Sequence, residues 1–138
     1  MAGIVPQDYR PSDDEPFMNE VMTEYFRQKL LAWRGELLRD ADETLASLQE
    51  GGIQEPDIAD RASAETDRSL ELRTRDRARK LISKIDAALG RIENGSYGYC
   101  DETGEPIGVR RLDARPIATL TIEAQERHER MERTHRDE

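Results

Sequence analysis

Two long apolar stripes, separated by a short proline-bearing stretch, limit what this chain can fold into. Met22, Phe26, Leu30, Trp33, Leu37, Ala41, Leu45 and Leu48 recur at spacings of three and four, and so do Leu70, Ala78, Leu81, Ile82, Ile85, Leu89 and Ile92. That period marks one apolar face per helix. Between the stripes stands Glu55-Pro56-Asp57-Ile58-Ala59-Asp60-Arg61-Ala62. Pro56 disfavours helical geometry at Glu55 and suits the start of a new helix. The stripes are therefore predicted to pair as an antiparallel helical hairpin. A helix over 19–49 is about 45 Å long at ~1.5 Å per residue, so the turn would carry Asp57 and Asp60 far from any globular body.

Asn19 is a good cap for the first helix, and Gly51-Gly52 a good stop. The second helix is predicted from about Ile58 to Ile92, closed by Asn94-Gly95. Asp57 and Asp60 both suit capping at its start, and one carboxylate suffices for that, which leaves the other for a partner. Residues 1–18 hold Pro6, Pro11, Pro16 and the run Asp13-Asp14-Glu15, the texture of a loosely ordered arm. From Gly95 to Gly108 turn-formers alternate with aromatics, as in a small irregular knob. A helical turn before Pro116 and a polar helix over Thr121–Arg136 complete the chain. The expected fold is mainly α: a long antiparallel coiled-coil hairpin projecting from a small globular knob, with a C-terminal helix. Its parts are an arm over 1–18, a hairpin over 19–94 turning at 50–62, and the knob and last helix over 95–138.

Charged residues are 37% of the chain and hydrophobic ones 36%, a balance suited to thin helix-on-helix packing. The net charge of −9 argues against gripping a phosphate backbone, so no direct DNA reading is expected. The basic runs Arg73–Lys80 and Arg110–Arg115 suit an acidic protein surface or a phosphorylated small molecule. One cysteine forms no internal disulfide and favours a reducing compartment. No run reaches transmembrane length and no signal peptide is apparent, so a cytoplasmic protein is expected; it is expected to be a monomer. No nucleophile–base pair, metal cluster or Gly-rich phosphate loop points to an enzyme.

Tyr97-Gly98-Tyr99-Cys100, then Gly104, Ile107-Gly108, Arg110-Arg111-Leu112 and Ala114-Arg115-Pro116, resemble the zinc-finger knob of DksA-type transcription factors. Pro56-Asp57-Ile58-Ala59-Asp60-Arg61-Ala62 is similar to the coiled-coil tip of that family, with its D-x-x-D-x-A pattern. The resemblance spans about Phe17 to Glu129. It implies a regulator that binds bacterial RNA polymerase, inserts the hairpin into the secondary channel, and modulates initiation together with ppGpp. It implies that Asp57, Asp60 and Ala62 work near the polymerase active centre and that Arg77 meets the β′ channel rim. Leu81, Lys84, Arg115 and Gln125 match the alarmone positions, with Gln125 where lysine is common. The last helix matches the segment that touches the β subunit.

One departure stands out. The family's four zinc cysteines fall on Cys100, Thr103, Thr121 and Ala124, and one thiolate does not hold structural zinc. His128 and His135 share a helix face but fit no usual ligand spacing, so no metal is expected. Packing of Tyr97, Tyr99, Ile107, Leu112, Ile117, Leu120 and Ile122, with hydroxyl bonds from Thr103 and Thr121, is expected to replace it. Cys100 reads first as a small buried apolar residue, its pKa raised by Asp101 and Glu102, and second as a thiol sensor. Two rival classes remain: a Gre-like factor that stimulates transcript cleavage through a similar acidic tip, and a plain coiled-coil adaptor indifferent to tip substitutions.

Overall fold

The computed structural model describes residues 4–51 and 58–137. Among these residues four helices follow one another: α1 (Glu20–Gly51), α2 (Ile58–Asn94), α3 (Val109–Ala114) and α4 (Ile122–Asp137). At ~1.5 Å per residue, α1 and α2 are about 48 and 55 Å long. The chain divides into two compact units, one of Met1–Leu30 with Ala87–Glu138 and one of Leu31–Asp86. Among the described residues the only strand-like pairing is an antiparallel bridge between Tyr99 and Pro106. The architecture is thus mainly α, an antiparallel helical hairpin and a small irregular knob with its own helix.

The start of α1 and the end of α2 are chemically closed. Asn19 Oδ1 accepts the Met22 N–H at 3.0 Å, so Asn19 caps α1. At the end of α2, the Ser96 N–H reaches Arg91 O at 2.9 Å and the Gly95 N–H reaches Ile92 O at 3.3 Å. With Gly95 at φ 81° this is a Schellman closure, which needs the left-handed backbone that glycine adopts freely. The predicted limits at Asn19, Gly51, Ile58 and Asn94 hold to within a residue or two. Asp57 and the predicted cap it makes lie outside the described residues.

In the Leu31–Asp86 unit, Ala78 and Ile85 are buried and Trp33, Leu37 and Ile82 half-buried. Arg34 Nε donates to Asp86 Oδ1 at 2.7 Å across the two helices. Here the sequence expectation needs correction. Leu45 and Leu70, counted on the buried stripes, are 36% and 53% exposed. Arg68, Glu71 and Arg75 are half-buried. Spacing alone does not decide which of two adjacent positions turns inward. Long charged side chains can lay their stems over the seam and keep their heads in water.

The other unit has the thicker core, with Met22, Phe26, Leu30, Ala88, Tyr97, Cys100, Ile107, Val109, Leu112, Ile117, Ala118 and Ala124 buried. Residues 4–18, expected to be loosely ordered, pack onto it. Glu15 accepts from the Tyr9 hydroxyl at 2.5 Å, the Asn19 amide at 2.7 Å and the Ser12 hydroxyl at 3.2 Å. These donors hold its carboxyl below the usual range. Phe17 meets Tyr99 edge-on with centroids 5.4 Å apart. Tyr9, Tyr25, Phe26 and Tyr97 continue as a chain of ring contacts between 5.2 and 5.7 Å. An acidic, proline-rich composition hides such a network, because its contacts are specific and few.

Candidate functional site

The knob begins as a tight reversal. The Cys100 N–H donates to Glu105 O, the Ile107 N–H to Gly98 O and the Gly104 N–H to Cys100 O, at 2.8–2.9 Å. Gly98 sits at φ 91°, which favours glycine, and a Cβ there would crowd Phe17 Cζ at 3.0 Å and make the ring give way. This reversal carries Cys100 and Thr103. Thr121 stands just before α4 and Ala124 in its first turn.

All four positions that the resemblance assigned to zinc meet here. Thr121 N–H donates to Cys100 Sγ at 3.4 Å, and Thr121 Oγ1 accepts the Ala124 N–H at 3.2 Å. Thr121 is thereby the N-cap of α4, which starts at Ile122, one residue after the predicted start. Cys100, Thr121 and Ala124 are 3%, 7% and 0% exposed. Burial raises the thiol pKa. The Thr103 hydroxyl and the N–H groups of Thr121, Thr103 and Glu102 outweigh it and bring the thiol down to about 6. The expectation that Asp101 and Glu102 raise it is overturned. Glu102 turns its carboxylate to His128 Nε2 and to Arg127 at 3.6 Å, and contributes its backbone donor to the sulfur. The thiolate is favoured, but 3% exposure leaves little access for an oxidant, which a sensor needs.

Of the residues expected to replace the metal, Tyr97, Ile107, Leu112 and Ile117 are buried, whereas Tyr99 and Ile122 are 37% and 52% exposed. Tyr97 OH donates to Pro116 O at 2.8 Å from a buried position. Val109, Ala118 and the α1 residues Met22 and Phe26 complete the core. Sequence reading missed the last two because it placed them in the hairpin alone.

Arg115 follows α3 with an exposed side chain on a constrained backbone. Its N–H donates to Arg111 O at 2.7 Å, and its carbonyl accepts the Ala118 N–H at 3.0 Å. Arg111 Nε donates to Leu120 O at 2.8 Å, tying α3 to the entry of α4. Gln125 is half-buried in the first turn of α4, its amide 3.3 Å from Glu129 Oε1. In the other unit, α2 carries Arg77 and Lys84 exposed and Leu81 half-buried. Asp60 and Ala62 belong to the opening turns of α2. Among the described residues no group of three His, Cys, Asp or Glu side chains is placed to hold a metal, and no helix is long and apolar enough to cross a membrane.

A helical hairpin joined to a zinc-finger-like knob with degenerate ligand positions is the class that this geometry defines. Residues 22–92 match the N-terminal domain of the DnaK suppressor protein DksA, and residues 95–130 match the prokaryotic dksA/traR C4-type zinc finger. The chain belongs to the DksA family. It is 69% identical over 135 residues to the RNA polymerase-binding transcription factor DksA of Caulobacter vibrioides, covering 98% of this chain and 95% of that protein. It is 44% identical over 123 residues to the protein of the same name in Escherichia coli K12, covering 89% and 80%. The solved structure of transcription factor DksA2 from Pseudomonas aeruginosa superposes with a TM-score of 0.80 at 45% identity, over 90% of this chain and 94% of that one. The zinc that a C4-type finger implies does not fit the residues here. One thiolate, a threonine hydroxyl engaged as a helix cap and a buried alanine methyl do not make a tetrahedral donor set.

Proposed function

We propose that this protein binds bacterial RNA polymerase, enters the secondary channel with the hairpin turn, and modulates initiation together with ppGpp. The observation that carries the reading is the pair of helices of 32 and 37 residues, separated by residues 52–57 alone, with the Asp57, Asp60 and Ala62 motif at the start of the second. The relatives are named for RNA polymerase binding, which supplies the partner. Carboxylates at such a turn engage basic groups or ordered loops around magnesium and bias a conformational equilibrium without covalent chemistry. About 1.4 kcal/mol of bias changes that equilibrium tenfold. Arg77 meets the channel rim. Leu81, Lys84, Arg115 and Gln125 serve the alarmone, with one cation fewer than a lysine at 125 would give. The helix α4 contacts the β subunit.

The knob holds its fold without zinc, using the bonds around Cys100 and the Thr121 cap. Elemental analysis of purified protein that finds about one tightly held zinc per chain overturns this. For the function itself, transcription in vitro with purified polymerase, with and without ppGpp, compares wild type with Asp57→Asn and Asp60→Asn. Asp60→Asn is expected to keep polymerase binding and lose its effect on a ribosomal promoter; undiminished inhibition refutes the role of the turn. Cleavage of RNA in stalled complexes would point instead to a cleavage-stimulating factor.

A further inference from the structure

Two side chains of α1 converge on Asp113 of α3, a residue that the proposed function leaves unused. Tyr25 OH donates to Asp113 Oδ1 at 2.6 Å, and Lys29 Nζ donates to the same oxygen at 2.7 Å. Lys29 Nζ also donates to the Asp113 backbone carbonyl at 2.6 Å. That carbonyl lies in the last turn of α3, where the helix leaves acceptors unsatisfied and a cation is favoured. Lys29 therefore closes the end of α3 and pins it to α1. The N-terminal arm braces the arrangement, since Tyr9 packs edge-on against Tyr25 with centroids 5.6 Å apart. Arg10 adds a favourable charge for the ionised Asp113.

Two residues beyond Asp113 stands Arg115, whose guanidinium has no side-chain partner among the described residues. Its backbone is fixed by the bonds to Arg111 and Ala118, and Tyr97 holds the next carbonyl. A solvent-facing cation on so constrained a support is ready to meet a polyanion without losing backbone freedom on binding. The support itself depends on where α3 ends. We infer that Lys29 and Asp113, braced by the N-terminal arm, are positioning residues that set the placement of Arg115 for a polyphosphate ligand. This rests on the alarmone reading given above.

The test uses full-length Lys29→Met, Lys29→Arg, Asp113→Asn, Arg115→Ala and the Lys29→Met/Arg115→Ala double variant. Each is assayed for the ppGpp concentration giving half-maximal effect on initiation and, separately, for the effect without ppGpp. Lys29→Met and Asp113→Asn are expected to raise the half-maximal concentration roughly fivefold or more while the effect without ppGpp is kept. Lys29→Arg restores most of the response. Lys29→Met adds nothing once Arg115→Ala is in place. Equal losses from Lys29→Met with and without Arg115→Ala, or a normal response in Lys29→Met beside a weakened Arg115→Ala, overturn the inference. If Arg115→Ala itself responds normally, the alarmone reading fails, and hydrogen exchange of the free protein decides the rest. Faster exchange at the Arg115 and Ala118 amides in Lys29→Met supports positioning, and unchanged exchange refutes it.

Discussion

Replacing Thr121 by valine removes one hydroxyl and almost no volume, and with it the cap at the start of α4 and a long 3.9 Å contact with Cys100 Sγ. Thr121 Oγ1 accepts the Ala124 N–H at 3.2 Å, and Ala124 is fully buried. Loss of a cap costs about 1 kcal/mol. A buried donor left unpaired costs roughly 1–3 kcal/mol. The two descriptions overlap, because they concern the same N–H group, so the expected loss is about 1–2 kcal/mol. Little else compensates. The side chains of α4 described beyond Gln125 are exposed, and an isolated helix of this length is marginal in water. A change of 1 kcal/mol moves the midpoint of a 60–100-residue unit by about 4–8 °C. Thermal unfolding by circular dichroism is therefore expected to show a drop of that order for Thr121→Val, with near-recovery in Thr121→Ser. Hydrogen exchange at Ala124 is expected to rise in parallel. A valine variant as stable as wild type, with Ala124 still protected, would mean that the hydroxyl at this former ligand position does no capping.

Other outcomes follow from the same coordinates. The Cys100 thiol, brought from its ordinary value near 9 to about 6, contributes stability that is present above pH 9 and is lost as pH falls through 6; the melting-point difference between wild type and Cys100→Ser should shrink steadily over that window. Gly98→Ala should destabilise by about 1 kcal/mol or more through its positive φ, and by more than Gly95→Ala, because the new methyl also meets Phe17 and Met18 whereas Gly95 faces open space; equal losses in urea unfolding would contradict the contact. The Arg34–Asp86 pair, with both side chains at least a third exposed, should yield no more than ~1 kcal/mol in a double-mutant cycle, falling further in high salt.

The hairpin was legible because its punctuation is chemical: Asn19, Gly51, Pro56 and Asn94-Gly95 are residues whose backbone preferences or side-chain acceptors start and stop helices. The knob was legible as a texture and by resemblance. What spacing left open was orientation. The exposed Leu70 beside half-buried Arg68 and Glu71 follows from how two helices meet, which a periodic pattern constrains only to within a neighbouring position. The Cys100 pKa was misjudged because adjacent acidic side chains are visible in a sequence while backbone N–H donors aimed at a sulfur are not. Likewise Glu15 stands in an acidic run, and its donors from Tyr9, Ser12 and Asn19 come together only in the fold.

The distribution of the rings has a practical side. Trp33, the single tryptophan, belongs to the Leu31–Asp86 unit, while all four tyrosines belong to the other. Intrinsic fluorescence excited at the red edge thus reports on one unit and tyrosine ellipticity on the other. The unlabelled protein carries its own pair of optical gauges for asking whether its two parts melt together or apart.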